Sequence, residues 1–303
     1  MRRVAIVGAG KVGLVLGRLM QRGGASISAV VSRTERSARE GGRFLRCRNA
    51  GTDPAAIPPD TTLIFVAVPH DEVRGVAVQL ARLDHLRFRR LAVCHASGML
   101  TAEALSPLAR RGATVFSFHP LQTFPRDFPP AEIVPSARGI RYGVDGDAAG
   151  MRAARRLAAL LDGRVFPVPP ALRAYYHASC VLASNHLAAM LGLLQGMHAR
   201  LGAGGEGFFT VYEPILRATL ENIRRTSPEH ALSGPVARGG LATVAEHFDA
   251  IRRTSPELLP YFTRMSRETA ALAARKGTLT GARLREMLAL IESTTTETEP
   301  RRR

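Results

Sequence analysis

Two histidines, an asparagine and a cluster of glycines are the residues of this chain whose types and spacing could do chemistry. His119 closes the apolar run Ala113-Thr114-Val115-Phe116-Ser117-Phe118 and precedes Pro120. An imidazole there suits proton exchange with an alcohol or imine, because its ordinary pKa lies near neutrality. The protonated ring is the expected working form, so a reduction rate should fall as pH rises through that pKa. A histidine bonded to a backbone carbonyl, with only a structural role, is the competing reading. His177 and Asn185 sit on an alanine-rich helical stretch. Eight residues advance an α-helix by about 800°, which puts these two on neighbouring faces; Ser184 aligns more closely with His177. His119 or His177 is then the candidate proton donor, and Asn185 an orienting amide beside Ser184.

The glycines stand in Val4-Ala5-Ile6-Val7-Gly8-Ala9-Gly10-Lys11-Val12-Gly13, a short apolar run followed by Gly-x-Gly-x-x-Gly and a helical pattern through Met20. Gly8 suits a tight turn. A side chain at Gly10 would keep backbone from a pyrophosphate, and one at Gly13 would hold the helix off the strand. The N–H groups at Lys11, Val12 and Gly13 would face that pyrophosphate at the positive end of the helix. The motif therefore predicts a dinucleotide site. After the second apolar run, Ile27 to Val31, comes Ser32-Arg33-Thr34, with no acid before Glu35. An NAD site usually has Asp or Glu here for the ribose hydroxyl. Two hydroxyls and a guanidinium suit a 2′-phosphate instead, so NADP is expected over NAD. Val68 and Pro69 end a third apolar run and should face the nicotinamide half, with His95 and Ser97 touching its ribose or amide.

A further polar loop, Ser233-Gly234-Pro235-Val236-Ala237-Arg238-Gly239-Gly240, has glycines and a proline that could expose backbone N–H groups beside Arg238. Ser233 and Arg238 are therefore candidates to hold a substrate carboxylate or phosphate.

The elements that must position these residues alternate first and then do not. Strand and helix patterns alternate to about residue 168, as an α/β domain requires, and Leu63 to Val68 is continuously apolar like a buried parallel strand. Beyond Pro169-Pro170 the patterns are helical: 172–201, 209–225, 241–253, 256–275 and 280–291. The expected fold is α/β, an N-terminal Rossmann domain with a mostly parallel sheet over 1–168. An all-α domain over 169–292 follows, and then a polar, disordered tail over 293–303. A helix as long as 172–201 cannot bury all its apolar positions against shorter partners, so a homodimer built on the helical domain is expected.

Composition narrows the classes. The net charge of +17 invites a nucleic-acid reading, but only Lys11 and Lys276 are lysines and the arginines are dispersed along the chain. No nucleic-acid partner is expected, and attraction to anionic small molecules is. The three cysteines, Cys47, Cys94 and Cys180, have neither ligand nor disulfide spacing, so no metal site is expected. No apolar run has the length of a membrane span, and the first strand begins at once, leaving no room for a signal peptide. A cytoplasmic protein without a membrane partner follows as the expectation.

The order of the two domains resembles the 6-phosphogluconate dehydrogenase-like superfamily, with pyrroline-5-carboxylate reductase, ketopantoate reductase and prephenate dehydrogenase among its members. More closely, the chain resembles a family of Rossmann-like oxidoreductases whose C-terminal domain has no assigned function. The resemblance rests on the glycine motif, His95-Ala96-Ser97-Gly98, Ser117 to Phe124, Tyr176-His177-Ala178-Ser179, Ala183-Ser184-Asn185 and Ser233 to Gly239. Gly240 stands where that last motif often has Asp. The resemblance implies a substrate between the domains and dimerisation through the helical one. His119-Pro120 resembles the His-Pro of prephenate dehydrogenases. The Lys-x-x-x-Asn helix of the β-hydroxyacid dehydrogenases is incomplete, since Val181 replaces the lysine. What the resemblance implies is NADP-dependent reduction of C=O or C=N in a small carboxylate-bearing, ketopantoate-like or pyrroline-carboxylate-like substrate. A prephenate-type dehydrogenase, or an NADP-binding regulatory protein without turnover, is the alternative.

Overall fold

The computed structural model describes residues 2–202 and 205–296. They divide into two compact units, Met1–His186 and Leu187–Arg303.

The first unit is built on a parallel sheet of strands β1 (Arg3–Val7), β2 (Ser26–Val31), β3 (Ala50–Gly51), β4 (Leu63–Val66), β5 (Ala92–His95) and β6 (Thr114–Ser117), in the order β3-β2-β1-β4-β5-β6. Every neighbouring pair is parallel. The chain winds outward both ways from β1, so the switch point lies between β1 and β4. Alternate residues of one strand enter different cores: Val4 and Ile6 pack on one face, Ala5 and Val7 on the other. Burial on both faces is why these strands read as unbroken apolar runs rather than alternating ones. Each fully buried Leu, Ile or Phe contributes about 1.5–3 kcal/mol of transfer free energy.

Helices α1 (Lys11–Arg22), α2 (Glu35–Phe44), α3 (Val73–Ala81) and α4 (Ser106–Arg110) make the crossovers. After them come β7 (His119–Pro120), α5 (Pro130–Ile133), β8 (Arg141–Val144), α6 (Ala148–Leu160) and β9 (Arg164–Pro167). β7 pairs antiparallel with β8, which pairs parallel with β9. His119 follows β6 at its carboxyl end, as expected, and opens a two-residue strand of a second sheet, opposite Gly143.

Helix α7 (Arg173–Val181) belongs to this first unit, which extends the unit past the expected boundary at 168. The reason is Arg173 and Tyr176, whose side chains are buried in it. A π-helical turn, Leu182–His186, ends the unit.

The second unit is helical: α8 (Leu187–Arg200), α9 (Phe208–Arg225), α10 (Pro228–Ala231), α11 (Leu241–Thr254), α12 (Leu259–Lys276) and α13 (Gly281–Thr296). Its core gathers Val244, Phe248 and Ile251 of α11, Leu259, Ala270 and Ala273 of α12, and Met287 and Ile291 of α13. Helix α13 continues to Thr296, so residues 293–296 are helical where a disordered tail was expected; 297–303 lie outside the described residues. Pro170–Arg200 is long and apolar enough, by length and composition, to cross a membrane, with hydropathy 1.3 in its best window. That departs from the expectation that no segment would do so. The average is reached despite Ser179, Ser184, Asn185 and His186, which interrupt any continuous run.

Candidate active site

The glycine motif builds one end of a cleft of about 590 Å³ at the carboxyl ends of the central strands. Its lining includes Gly8, Ala9 and Gly10, then Ser32, Arg33 and Thr34 from the end of β2, and Val68 and Pro69 from the end of β4. Gly8 has φ +107, and a Cβ there would stand 2.4 Å from the Ala67 carbonyl oxygen. A Cβ on Gly13 would stand 2.1 Å from the carbonyl oxygen of Gly8, which holds α1 close to the strand. A Cβ on Gly10 would meet nothing within 4 Å. Its space is open, where a ligand's phosphates need the backbone to be bare. Gly10 also caps α1 without any side-chain hydrogen bond. The first amides of α1 thus keep their N–H groups for an anion. This cradle fits a dinucleotide pyrophosphate.

The far end of the cleft differs in detail from expectation. Thr34 caps α2: its Oγ1 accepts from the Ser37 N–H at 3.2 Å and donates to Ser37 Oγ at 2.9 Å. Thr34 and Ser37 both line the cleft, and their hydrogen bond joins the two hydroxyls there. Arg33 is 81% exposed at its side chain and pairs with Glu72 at 3.1 Å. Glu72 lies 39 residues after Arg33 in sequence, on the segment after β4, yet it lines the same cleft. Only the strand order, which sets β4 beside β1, brings the two together.

The assignment of His95 is corrected, and Ser97 takes on further partners. His95 is fully buried and both ring nitrogens are engaged: Nδ1 accepts from the Ser97 N–H at 3.2 Å, and Nε2 faces the Thr101 carbonyl at 2.9 Å. The first bond requires a lone pair on Nδ1, so the proton sits on Nε2 and bonds Thr101. Burial pulls its pKa down to about 4. His95 is a structural clasp with nothing left for a cofactor. Ser97 is a partner in the same turn, its Oγ accepting from the N–H groups of Met99 and Leu100 and its carbonyl from Arg173 Nη2 at 2.9 Å.

The histidines do meet. Their ring centroids are 5.8 Å apart, within the first unit. His119 Nδ1 lies 2.7 Å from Tyr176 Oη. Gly98 forms the floor between the rings: a Cβ on it would be 2.9 Å from His119 Nε2 and 3.0 Å from His177 Nε2. Both Nε2 atoms therefore converge above Gly98. Beneath lies a buried network that the sequence did not disclose. Arg173, 2% exposed, pairs with Asp145 at 3.4 Å. Asp145 also accepts from Ser117 Oγ at 2.6 Å and from the Ala102 N–H at 2.6 Å. Burial lowers the His119 pKa to about 3, with Arg173, His177 and His95 adding to the effect. The protonated working form expected from the sequence is thereby corrected: His119 is neutral at pH 7, because a second cation cannot be solvated beside Arg173.

Asn185 is exposed on the π turn, and its Oδ1 accepts from Ser184 Oγ at 3.0 Å. The angular argument for this pair assumed an unbroken α-helix, which the π turn is not. In the second unit, Ser233 and Arg238 are exposed. Four backbone N–H groups at the end of the loop are engaged within it. Those of Arg238, Gly239, Gly240 and Leu241 bond the carbonyls of Gly234, Val236, Pro235 and Gly239. The Ser233 and Arg238 side chains, both exposed, keep anion-binding capacity there.

A parallel sheet with a pyrophosphate cradle at its switch point and a following helical unit is the fold of NAD(P)-dependent oxidoreductases. Residues 1–120 match the Rossmann-like domain and residues 140–269 match a domain of unknown function, DUF2520. The chain thus carries these two domains in this order. Among solved structures it is similar to protein TM1727 from Thermotoga maritima, at 22% identity and TM-score 0.67 over 90% of this chain and 99% of that one. It is likewise similar to BF3122 from Bacteroides fragilis, described as a candidate NADP oxidoreductase, at 20% identity and TM-score 0.64 over 91% and 97%. A pyrroline-5-carboxylate reductase from Coxiella burnetii aligns over 98% of both chains at 12% identity and TM-score 0.56. These likenesses concern the fold. Comparison with the curated proteins finds no match.

Proposed function

We propose that this protein is a cytoplasmic, homodimeric NADP-dependent oxidoreductase that reduces C=O or C=N in a small carboxylate-bearing substrate. The observation that carries the reading is the cleft itself. An uncapped α1 N-terminus and a bare Gly10 stand at one end of it, and Ser32, Arg33 and Ser37 at the other. Gly8, Gly10 and the amides of Lys11, Val12 and Gly13 hold the pyrophosphate, and Arg33 with its neighbouring hydroxyls holds the 2′-phosphate. Val68 and Pro69 border the nicotinamide half. The bound nicotinamide supplies a hydride. The protein supplies the rest: His119 and His177 hold the substrate heteroatom over Gly98. Neutral His119 donates a hydrogen bond to the oxygen or nitrogen on which negative charge develops, and water completes the protonation. Ser184 and Asn185, on the π turn, orient the substrate.

The test is a screen of small 2-keto acids and cyclic imines with NADPH, following loss of nicotinamide absorbance. Turnover that His119→Asn abolishes, with NADPH binding retained, is the expected result. NADPH binding with no turnover on any member of the panel would favour a regulatory NADP-binding protein instead.

A further inference from the structure

Tyr176 is a buried phenol whose Oη lies 2.7 Å from the Nδ1 of His119, with the Cys180 thiol, a much weaker acceptor than an imidazole nitrogen, also in hydrogen-bonding reach. Its place is prepared from several sides. Gly143, which faces His119 across the β7–β8 pair, has no side chain because a Cβ there would stand 2.1 Å from Tyr176 Oη. The Phe166 ring lies 6.1 Å away, and the Arg173 guanidinium carbon 5.3 Å from the Tyr176 ring centroid. Arg173, Tyr176 and His177 are spaced to share one side of α7, so a single short helix delivers the phenol, the second histidine and the buried cation together.

A neutral imidazole carries its proton on one nitrogen, and the partner of the other nitrogen decides which. A phenol is a better donor than a neutral imidazole N–H, and an imidazole nitrogen a better acceptor than a phenol oxygen. The Tyr176 O–H therefore donates to Nδ1, and the proton of His119 resides on Nε2, the atom that faces Gly98 and His177. We propose that Tyr176 is the positioning residue of this site: through its bond to Nδ1 it locks His119 as the Nε2–H tautomer and so makes it a donor to the substrate heteroatom. This rests on the reductase reading above. The opposite tautomer would offer a lone pair to a hydroxyl proton and suit oxidation.

The tautomer can be read without a substrate. Full-length protein labelled with ¹⁵N at histidine is examined by long-range ¹H–¹⁵N correlation at pH 7, with NADPH affinity measured on the same samples. His119→Asn identifies the His119 signals by their disappearance. The wild type should show His119 with a lone-pair Nδ1 and a protonated Nε2. In Tyr176→Phe both nitrogens should move toward the averaged positions of two mixed tautomers, while NADPH affinity changes less than twofold. A wild-type Nδ1–H, or a tautomer unmoved in Tyr176→Phe, would overturn the proposal. Should Tyr176→Phe fail to fold, the wild-type spectrum decides alone. Failure to bind NADPH in the wild type would count against the reductase reading and not against the tautomer.

Discussion

At Arg33 two anions compete. In the cleft its guanidinium pairs with Glu72, an exposed contact of the kind that contributes at most about 1 kcal/mol. A 2′-phosphate dianion is the stronger partner, so it should displace Glu72. Arg33→Ala should weaken NADPH tenfold to a hundredfold, corresponding to about 1.5–3 kcal/mol for a charged hydrogen-bond partner, and leave NADH almost unchanged. Equal losses for both cofactors, measured by calorimetric titration, would reject this assignment. At His119 the expected loss is in turnover: His119→Asn should cut it by about 10²–10³, as loss of one charge-stabilising donor does. The pH dependence follows from burial. His119 and His95 are held neutral, with pKa values near 3 and 4, against 6.5 when unfolded. Below pH 6.5 the unfolded chain binds protons that the folded chain does not, so stability is full above that pH and falls as pH drops toward 4. Denaturant midpoints across pH 4.5–7.5 should show this slope, and His119→Asn should lessen it. A slope of the opposite sign would mean that these imidazoles are charged in the fold.

Gly10 and Gly13 open the same helix and differ in what a methyl group would meet. At Gly13 it would strike the Gly8 carbonyl at 2.1 Å, while at Gly10 it would meet no protein atom. Gly13→Ala should therefore destabilise the protein by about 1–3 kcal/mol, as overpacking does. Gly10→Ala should leave the melting temperature within a few degrees and still weaken the dinucleotide. A matched loss of stability in both would show that Gly10 serves the fold and not a ligand. This β1–α1 element was legible in the sequence, as were β2, β4, β5, α2 and α11, because a buried parallel strand or an amphipathic helix writes its period over many residues. β3 and β7 were not, since two residues cannot show a period and Pro120 argues against a strand. Nor was the attachment of α7 to the first unit. Arg173 and Tyr176 look like surface residues until Asp145 and His119, far away in sequence, are placed beside them. The candidate site was therefore half visible. His119 and His177 stood out as histidines, whereas Tyr176, Glu72 and Asp145 have roles that exist only through tertiary contacts.

Across the whole molecule, the second unit displays apolar surface that its own core does not use. Helix α9 has no buried residue over Phe208–Arg225, and Phe209, Val211, Ile215 and Leu220 on it are exposed, as is Leu187 at the start of α8. An exposed apolar face of this extent marks an interaction surface. A second copy of the chain is the expected partner. Light scattering at micromolar concentration should give twice the mass of 32.7 kDa, and Ile215→Glu with Leu220→Glu should return the monomer. A monomeric wild type would remove the homodimer from the account. The NADP cradle is the central claim, and its most direct test is a calorimetric titration of the intact protein with NADPH and NADH, in parallel with Gly10→Ala. The expected result is one site per chain, tighter for NADPH than for NADH by tenfold or more, with both weakened in a fully folded Gly10→Ala variant. The absence of binding to the wild type, or equal binding to the wild type and Gly10→Ala, would contradict it.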